Sequence, residues 1–362
     1  MKLDEFPSAR EALLWDAEAD GKVRCGLCKR RCLISEGKRG ACGTRANLNG
    51  RLMTLVYGDL AAAESRPIEI KPFYHFYPGS SAYTYCTWSC NLACLWCQNH
   101  RLSRQLPDPG KSNFVSPEKL VRAALLSGDD GLCVSFTEPT LLFEHCMDTF
   151  PLAKQKGLYT CFVSNGYMTP EALKMLAEAG LDAIKIDIKG PPQVYEQFCG
   201  NADASVVWRN ARMARDLGLH VEIVNLVING VNDDEKSLGW VIQQHLSHVG
   251  PETAIHFTRY HPAYKLENPA TPVTVVEKAC EMAKAAGILF PYAGNVTMSH
   301  KFSSTYCPEC GKELIRRSNW SVAWNIMENG ACPGCGKLIP IICFSQGWKK
   351  TQDSGHKTQD IE

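Results

Sequence analysis

The stretch Cys90-Asn91-Leu92-Ala93-Cys94-Leu95-Trp96-Cys97 decides how this chain is read. It spaces three thiols as C-x3-C-x2-C just after a β-rich run, Ala82 to Cys86, and such a loop can wrap three corners of a cubane iron-sulfur cluster. Four thiolates close a [4Fe-4S] cluster for plain electron transfer. Three leave one iron open to a small chelating molecule. Cys86 could in principle supply a fourth thiolate, but it ends the strand while the other three share a loop, so it is read as a spectator.

Outward from the loop, short β-rich runs alternate with helical periods. The candidate strands are Ala82 to Cys86, Gly131 to Phe136, Tyr159 to Val163, Ala183 to Ile186, His220 to Val227 and Ala254 to Phe257. Helical patterns cover Pro117 to Leu126, Leu141 to Gln155, Pro170 to Ala179, Val206 to Leu217, Asp234 to His248 and Val273 to Ala286. Ser116-Pro117 and Thr169-Pro170 mark helix starts, because proline suits the first helical turn. Repeated βα units predict an α/β fold with a parallel sheet and outer helices. With the cysteine loop in the first βα connection, the expected architecture is a partial (β/α)6 TIM-like barrel, its site at the carboxyl ends of the strands.

Polar groups recur at those ends. Thr137-Glu138-Pro139 follows the second strand and offers a carboxylate for a substrate ammonium. Ser164-Asn165-Gly166 follows the third and suits ribose hydroxyls. Asp187 and Lys189 follow the fourth on one face, two residues apart, and could grip opposite ends of a zwitterion. Leu226 to Gly230 could edge an adenine, Trp96 could shield the cluster, and His261 in Tyr260-His261-Pro262 offers a ring donor. Each is ordinary by itself; their serial placement carries the argument.

Two cysteine-rich flanks frame this core. Cys25, Cys28, Cys32 and Cys42, interleaved with turn-permitting glycines, suit one tetrahedral metal or a second iron-sulfur cluster in a short, sheet-poor module. The basic residues Lys29, Arg30, Arg31, Lys38 and Arg39 around them read as a solvated face. Cys307-Pro308-Glu309-Cys310 and Cys332-Pro333-Gly334-Cys335 are two knuckles that complete an S4 site, with zinc expected. The division is then a cysteine-rich module and packed linker over 1–75, a core over 76–300, a zinc-ribbon-like module over 301–348 and a disordered tail over 349–362.

Eighteen cysteines, eleven in these three sets, argue for thiolates on metals in a reducing compartment. Cys133, Cys146, Cys161, Cys199, Cys280 and Cys343 read as small hydrophobes. The 39 basic and 38 acidic residues nearly balance, which gives no electrostatic reason to expect nucleic acid. No apolar run approaches the roughly 18 to 20 residues that span a bilayer, and the start lacks a signal-peptide pattern, so a cytoplasmic protein is expected.

The run Lys71 to Ser80 ahead of CNLACLWCQN, with FTEPT, LVINGVNDD, HFTRYHPAYK, YAGNV, YCPECG and CPGCG, resembles the AmmeMemoRadiSam-system radical SAM proteins, a branch similar to pyruvate formate-lyase (glycyl-radical enzyme) activating enzymes. The resemblance covers nearly the whole chain. It implies a [4Fe-4S] cluster on Cys90, Cys94 and Cys97, and S-adenosylmethionine (SAM) held by the Thr137-Glu138-Pro139 turn, Asn165, Asp187, Lys189 and His261. Phe136 and Thr137 stand where activating enzymes carry two glycines, and Val163 where they carry an aspartate. The implied chemistry is reductive cleavage of SAM, with flavodoxin or ferredoxin as electron donor, followed by hydrogen abstraction from a protein glycine. The alternatives are radical SAM modification of another peptide or small molecule, methyl transfer, and a non-catalytic metal-binding adaptor.

Overall fold

Side-chain caps set the helix starts. In the computed structural model, which describes residues 5–296, 301–318, 320–327 and 330–344, Ser116 accepts from the Lys119 amide, Thr169 from Ala172 and Asp234 from Ser237. Each cap satisfies a backbone N–H that the first helical turn leaves free. The helices that follow are α1 (Pro117–Leu126), α2 (Phe143–Gln155), α3 (Pro170–Ala179), α4 (Pro192–Phe198), α5 (Ala204–Asp216), α6 (Glu235–His248) and α7 (Val273–Ala285). Among the described residues no helix is long and apolar enough to cross a membrane. The tail expected over 349–362 lies outside the described residues.

Eight strands form the central sheet in chain order: β1 (Ala62–Pro67), β2 (Ser81–Cys86), β3 (Gly131–Val134), β4 (Tyr159–Ser164), β5 (Ala183–Ile188), β6 (His220–Val227), β7 (Ile255–Arg259) and β8 (Pro291–Gly294). From β2 to β8 every pairing is parallel, and β1 runs antiparallel along the edge. Among the described residues β1 and β8 each pair on one side only, so the sheet is open. All six expected strands are present. The structure adds β8 as a seventh parallel strand and β1 as an edge.

The two sheet faces differ in chemistry. Ile184, Ile186 and Ile188 point out under the helices and join the main apolar core, while Lys185 and Asp187 point inward, as period-two alternation requires. Deep in the concave side Glu222, with 0% exposure, accepts from the Tyr74 and His75 amides at 3.0 and 2.8 Å. It also pairs with His220 and His256 at 3.0 and 2.7 Å, and burial pushes His256 toward its neutral form. The Phe73 and Phe76 rings pack on Ala82, Cys133, Cys161 and Ala183. The aromatic segment ahead of β2 therefore plugs the bottom of the concave face and leaves the carboxyl end open.

Two small three-stranded sheets build the N-terminal module: Trp15–Ala17, Val23–Cys25 and Leu33–Ile34 in one, and Arg10–Glu11, Arg51–Thr54 and Arg45–Leu48 in the other. The module is richer in sheet than its glycines suggested. At the other end Thr305–Tyr306, Glu313–Ser318 and Ser321–Asn325 form an antiparallel meander. Arg317 fastens it to the core: its guanidinium donates to the Tyr74 carbonyl at 2.6 Å and to Thr305 Oγ1 at 2.8 Å, and lies over the Tyr74 ring.

Candidate functional site

The carboxyl ends of the parallel strands open into a cavity of about 410 Å³, within the range of small-molecule sites. Cys90, Cys94 and Cys97 line it, and so do Thr137, Glu138, Asn165, Asp187 and Lys189. The structure thus places Thr137, Glu138, Asn165, Asp187 and Lys189, from the ends of β3, β4 and β5, around one cavity, while Pro139, Ser164 and Gly166 are not in its lining. His261 is exposed and outside the lining; at that strand end Thr258 and Asn295 form the wall. Cys86 is buried at the end of β2, paired opposite Ala62, and does not line the cavity.

The cysteine loop is braced from several directions. The Leu92 amide faces Cys90 Sγ at 3.5 Å, and Arg104 donates to the Leu92 carbonyl. Ser103 Oγ lies 3.1 Å from Cys97 Sγ. Asn165 Nδ2 donates to Asn91 Oδ1 at 2.8 Å and lies 3.7 Å from Cys90 Sγ. A hydrogen bond from the Cys199 thiol, with the nearby Lys189 and Arg104 charges, holds the Cys94 thiol below its usual range against its burial. Burial and the Glu138 charge push the Cys90 thiol up.

Glu138 ties two strand ends together. Its Oε1 accepts from Thr140 Oγ1 and from Ser164 Oγ at 2.8 Å, and its Oε2 accepts from the Asn165 amide at 2.9 Å. Burial raises its carboxyl pKa, and these donors oppose the rise. Just before it, Phe136 sits at φ 61°, in the left-handed region that non-glycine residues rarely enter. Asn99 Nδ2 holds the Phe136 carbonyl at 2.6 Å, and Lys71 Nζ lies 4.1 Å from the ring centroid.

Opposite this turn Asp187 lies between two ammoniums, Lys185 at 2.5 Å and Lys189 at 3.5 Å. Their charges hold its carboxyl below the usual range in spite of burial. The wall also carries apolar side chains, with Val163, Val224, Leu226 and Trp96. Charged groups and apolar surface in one cavity suit a ligand with an ionic part and a flat, weakly polar part.

Besides Thr258, Asn295, Ser103 and Arg104, four more contributors lie outside the expected set. Lys185 is buried in the cavity wall, and alternation in Ala-Ile-Lys-Ile-Asp-Ile would have found it. Asn99 and Lys71 act on Phe136, and Cys199, read as a small hydrophobe, contacts Cys94. No local pattern marks those three. Arg30 and Arg39 are likewise not a simple solvated face: Arg30 donates to the carbonyls of Asn91 and Gly200, and Arg39 to that of Pro107.

The three cysteine sets differ in spacing. The sulfurs of Cys307, Cys310, Cys332 and Cys335 all lie within 4.8 Å of one another, with two contacts of 3.5 and 3.6 Å. A tetrahedral ion with bonds of about 2.3 Å holds its sulfurs about 3.8 Å apart, so this set fits one small metal ion. Among the described residues it is the only His, Cys, Asp or Glu group so gathered. Cys90, Cys94 and Cys97 share a cavity without being that tight, which fits separate corners of a cluster better than one ion.

The Radical SAM superfamily model matches residues 85–239. An uncharacterized protein of Methanocaldococcus jannaschii is 37% identical over 336 residues, covering 92% of this chain and 99% of that one. A GTP 3',8-cyclase of Pelotomaculum thermopropionicum is 26% identical over 152 residues, 40% of this chain and 46% of the cyclase. A solved domain of a pyruvate-formate lyase-activating enzyme from Bacteroides vulgatus aligns with a TM-score of 0.40 at 20% identity, over 46% of this chain and 99% of that domain. The chain belongs to the radical SAM superfamily, and membership implies a [4Fe-4S] cluster, SAM and a source of electrons.

Proposed function

We propose that this protein binds a [4Fe-4S] cluster through Cys90, Cys94 and Cys97 and uses it with SAM to abstract hydrogen from a substrate, in an activase-like reaction on a protein glycine. One observation carries the reading: the three thiols line the same cavity as Glu138, Asn165, Asp187 and Lys189. When bound, the cluster and SAM together supply one-electron reductive cleavage of the sulfonium. The chain's own part is binding and orientation. Glu138 and Thr137 receive the ligand's ammonium, Asp187 and Lys189 its polar groups, and Leu226 and Val224 its flat base. Trp96 and Phe136 limit the entry of water. His261, exposed and away from the cavity, is left out.

In this reading residues 76–300 carry the radical SAM core. The 1–75 and 301–348 segments flank it, and Cys307, Cys310, Cys332 and Cys335 hold zinc. Flavodoxin or ferredoxin serves as electron donor. Anaerobic reconstitution followed by dithionite and SAM tests the enzyme: absence of 5'-deoxyadenosine from the wild type refutes it, and full cleavage by Cys94→Ala refutes the ligand set. For the glycine, a partner co-purified under anaerobic conditions should show a glycyl-radical doublet in EPR after turnover. A turnover product altered at another position removes the activase role alone.

A further inference from the structure

The N-terminal cysteines are built around an enclosed space of their own. Cys25, Cys28, Cys32 and Cys42 line one narrow cavity together with Arg45 and Asn91. Their sulfurs are not gathered as those of Cys307, Cys310, Cys332 and Cys335 are, although all eight residues are described. A single tetrahedral ion requires the tight arrangement. A cubane, whose four irons sit at separate corners, requires the wider one.

Two buried N–H groups point the same way. Arg45, 1% exposed, has no acceptor for Nε, and Asn91, 3% exposed, has none for Nδ2. A buried donor left unpaired is destabilising, and both residues line this cavity. Cluster sulfides accept such N–H groups, which tune the reduction potential. Four thiolates on a [4Fe-4S] core leave about two negative charges, and Arg45 places a guanidinium beside them. Arg30 also lines the cavity, and Leu27, Ile34 and Leu141 make the rest of the wall apolar apart from Gly40.

We propose that Cys25, Cys28, Cys32 and Cys42 hold a second [4Fe-4S] cluster, closed by four thiolates, with Arg45 and Asn91 as its N–H donors. It has no open iron, so it does not bind SAM. It is a neighbour of the first loop through one residue: Asn91 lines this cavity, and its Oδ1 accepts from Asn165 Nδ2, which also faces Cys90. The Ser89 hydroxyl adds a second tie, donating to the Cys42 carbonyl at 2.6 Å.

The site stands apart from the assignment of the first cluster, and the test separates the two. The full chain is reconstituted anaerobically and its iron, sulfide and zinc are counted, for the wild type and for the C90A/C94A/C97A variant. About eight irons in the wild type and about four in the variant, with an EPR signal that SAM does not alter, is the expected result. About four irons in the wild type, none in the variant, and two zinc ions per chain overturns the second cluster and leaves the proposed function standing. A cluster in the variant that still responds to SAM overturns both its closed coordination and the first ligand set. Should the variant fail to fold, Mössbauer spectra of the wild type decide: two [4Fe-4S] species of which SAM perturbs one support the proposal, and one species overturns it. Asn91→Val in the C90A/C94A/C97A background should keep the iron count and shift the midpoint potential to more negative values. An unchanged potential removes Asn91 as a donor.

Discussion

Replacing Glu144 by glutamine tests the charge balance beneath the N-terminal cavity. Glu144 Oε1 lies 2.6 Å from Arg45 Nη1, with side chains only 4% and 2% exposed, and also accepts from the Leu13 amide at 3.2 Å. Glutamine keeps the volume and an acceptor but removes the charge, so a buried guanidinium is left uncompensated. Breaking such a pair costs about 3–5 kcal/mol, and at 3 kcal/mol the folded-to-unfolded ratio falls by roughly 150-fold. The loss depends on what fills the cavity. A closed cluster would offer Arg45 a second partner, so Glu144→Gln should cost the full amount in cluster-free protein and clearly less after anaerobic reconstitution. Urea unfolding followed by tryptophan fluorescence, with and without cluster, measures both. A loss below about 1 kcal/mol in the cluster-free protein would refute the buried-pair argument, and equal losses in the two states would refute the shared counter-charge.

Glu138→Gln should weaken SAM binding about 10- to 150-fold, the worth of a hydrogen bond to a charged group at 1.5–3 kcal/mol, with iron content unchanged; equilibrium dialysis of unchanged affinity counts against its role. Burial lowers His75 to about 3 and His145 and His245 to about 4. Their folded values lie below the unfolded value of about 6.5, so the unfolded chain takes protons first and stability falls as pH drops from about 6.5 toward 4. With three groups the slope approaches about 4 kcal/mol per pH unit, and a flat urea-stability profile between pH 7 and 5 contradicts it. Gly58→Ala should cost roughly 2 kcal/mol or more, since φ is +64° and a Cβ would meet the Val115 carbonyl oxygen at 2.6 Å; unchanged thermal unfolding would show that the loop yields. Stripping metal from the Cys307 to Cys335 set should make the 301–344 region sensitive to protease without changing iron content, and resistance after complete metal loss would mean that Arg317 alone holds the module.

Where sequence succeeded, the signal was local. Pro117 and Pro170 begin helices where their caps say, and the three thiols reach the strand ends because they lie in the connection that leaves the carboxyl end of β2. Where it fell short, the cause was tertiary. β8 is only Pro-Tyr-Ala-Gly, and β1 is polar with a terminal proline, as an edge strand tolerates. Neither has a pattern of its own, and each exists because a neighbouring edge awaits it. Arg45 gives no sign in sequence that its charge is buried against α2, since its partner lies 99 residues away. The same holds for the contact of Cys199 with Cys94.

The backbone at Phe136 carries a further consequence. A side chain in the left-handed region costs about 1–2 kcal/mol, and here one hydrogen bond from Asn99 helps restrain it. Asn99 sits just beyond Cys97, so this one bond ties the cysteine loop to the turn that leads into Glu138. The thiols and the carboxylate are thereby spaced by a direct strut between neighbouring connections, and not only by the strands beneath them.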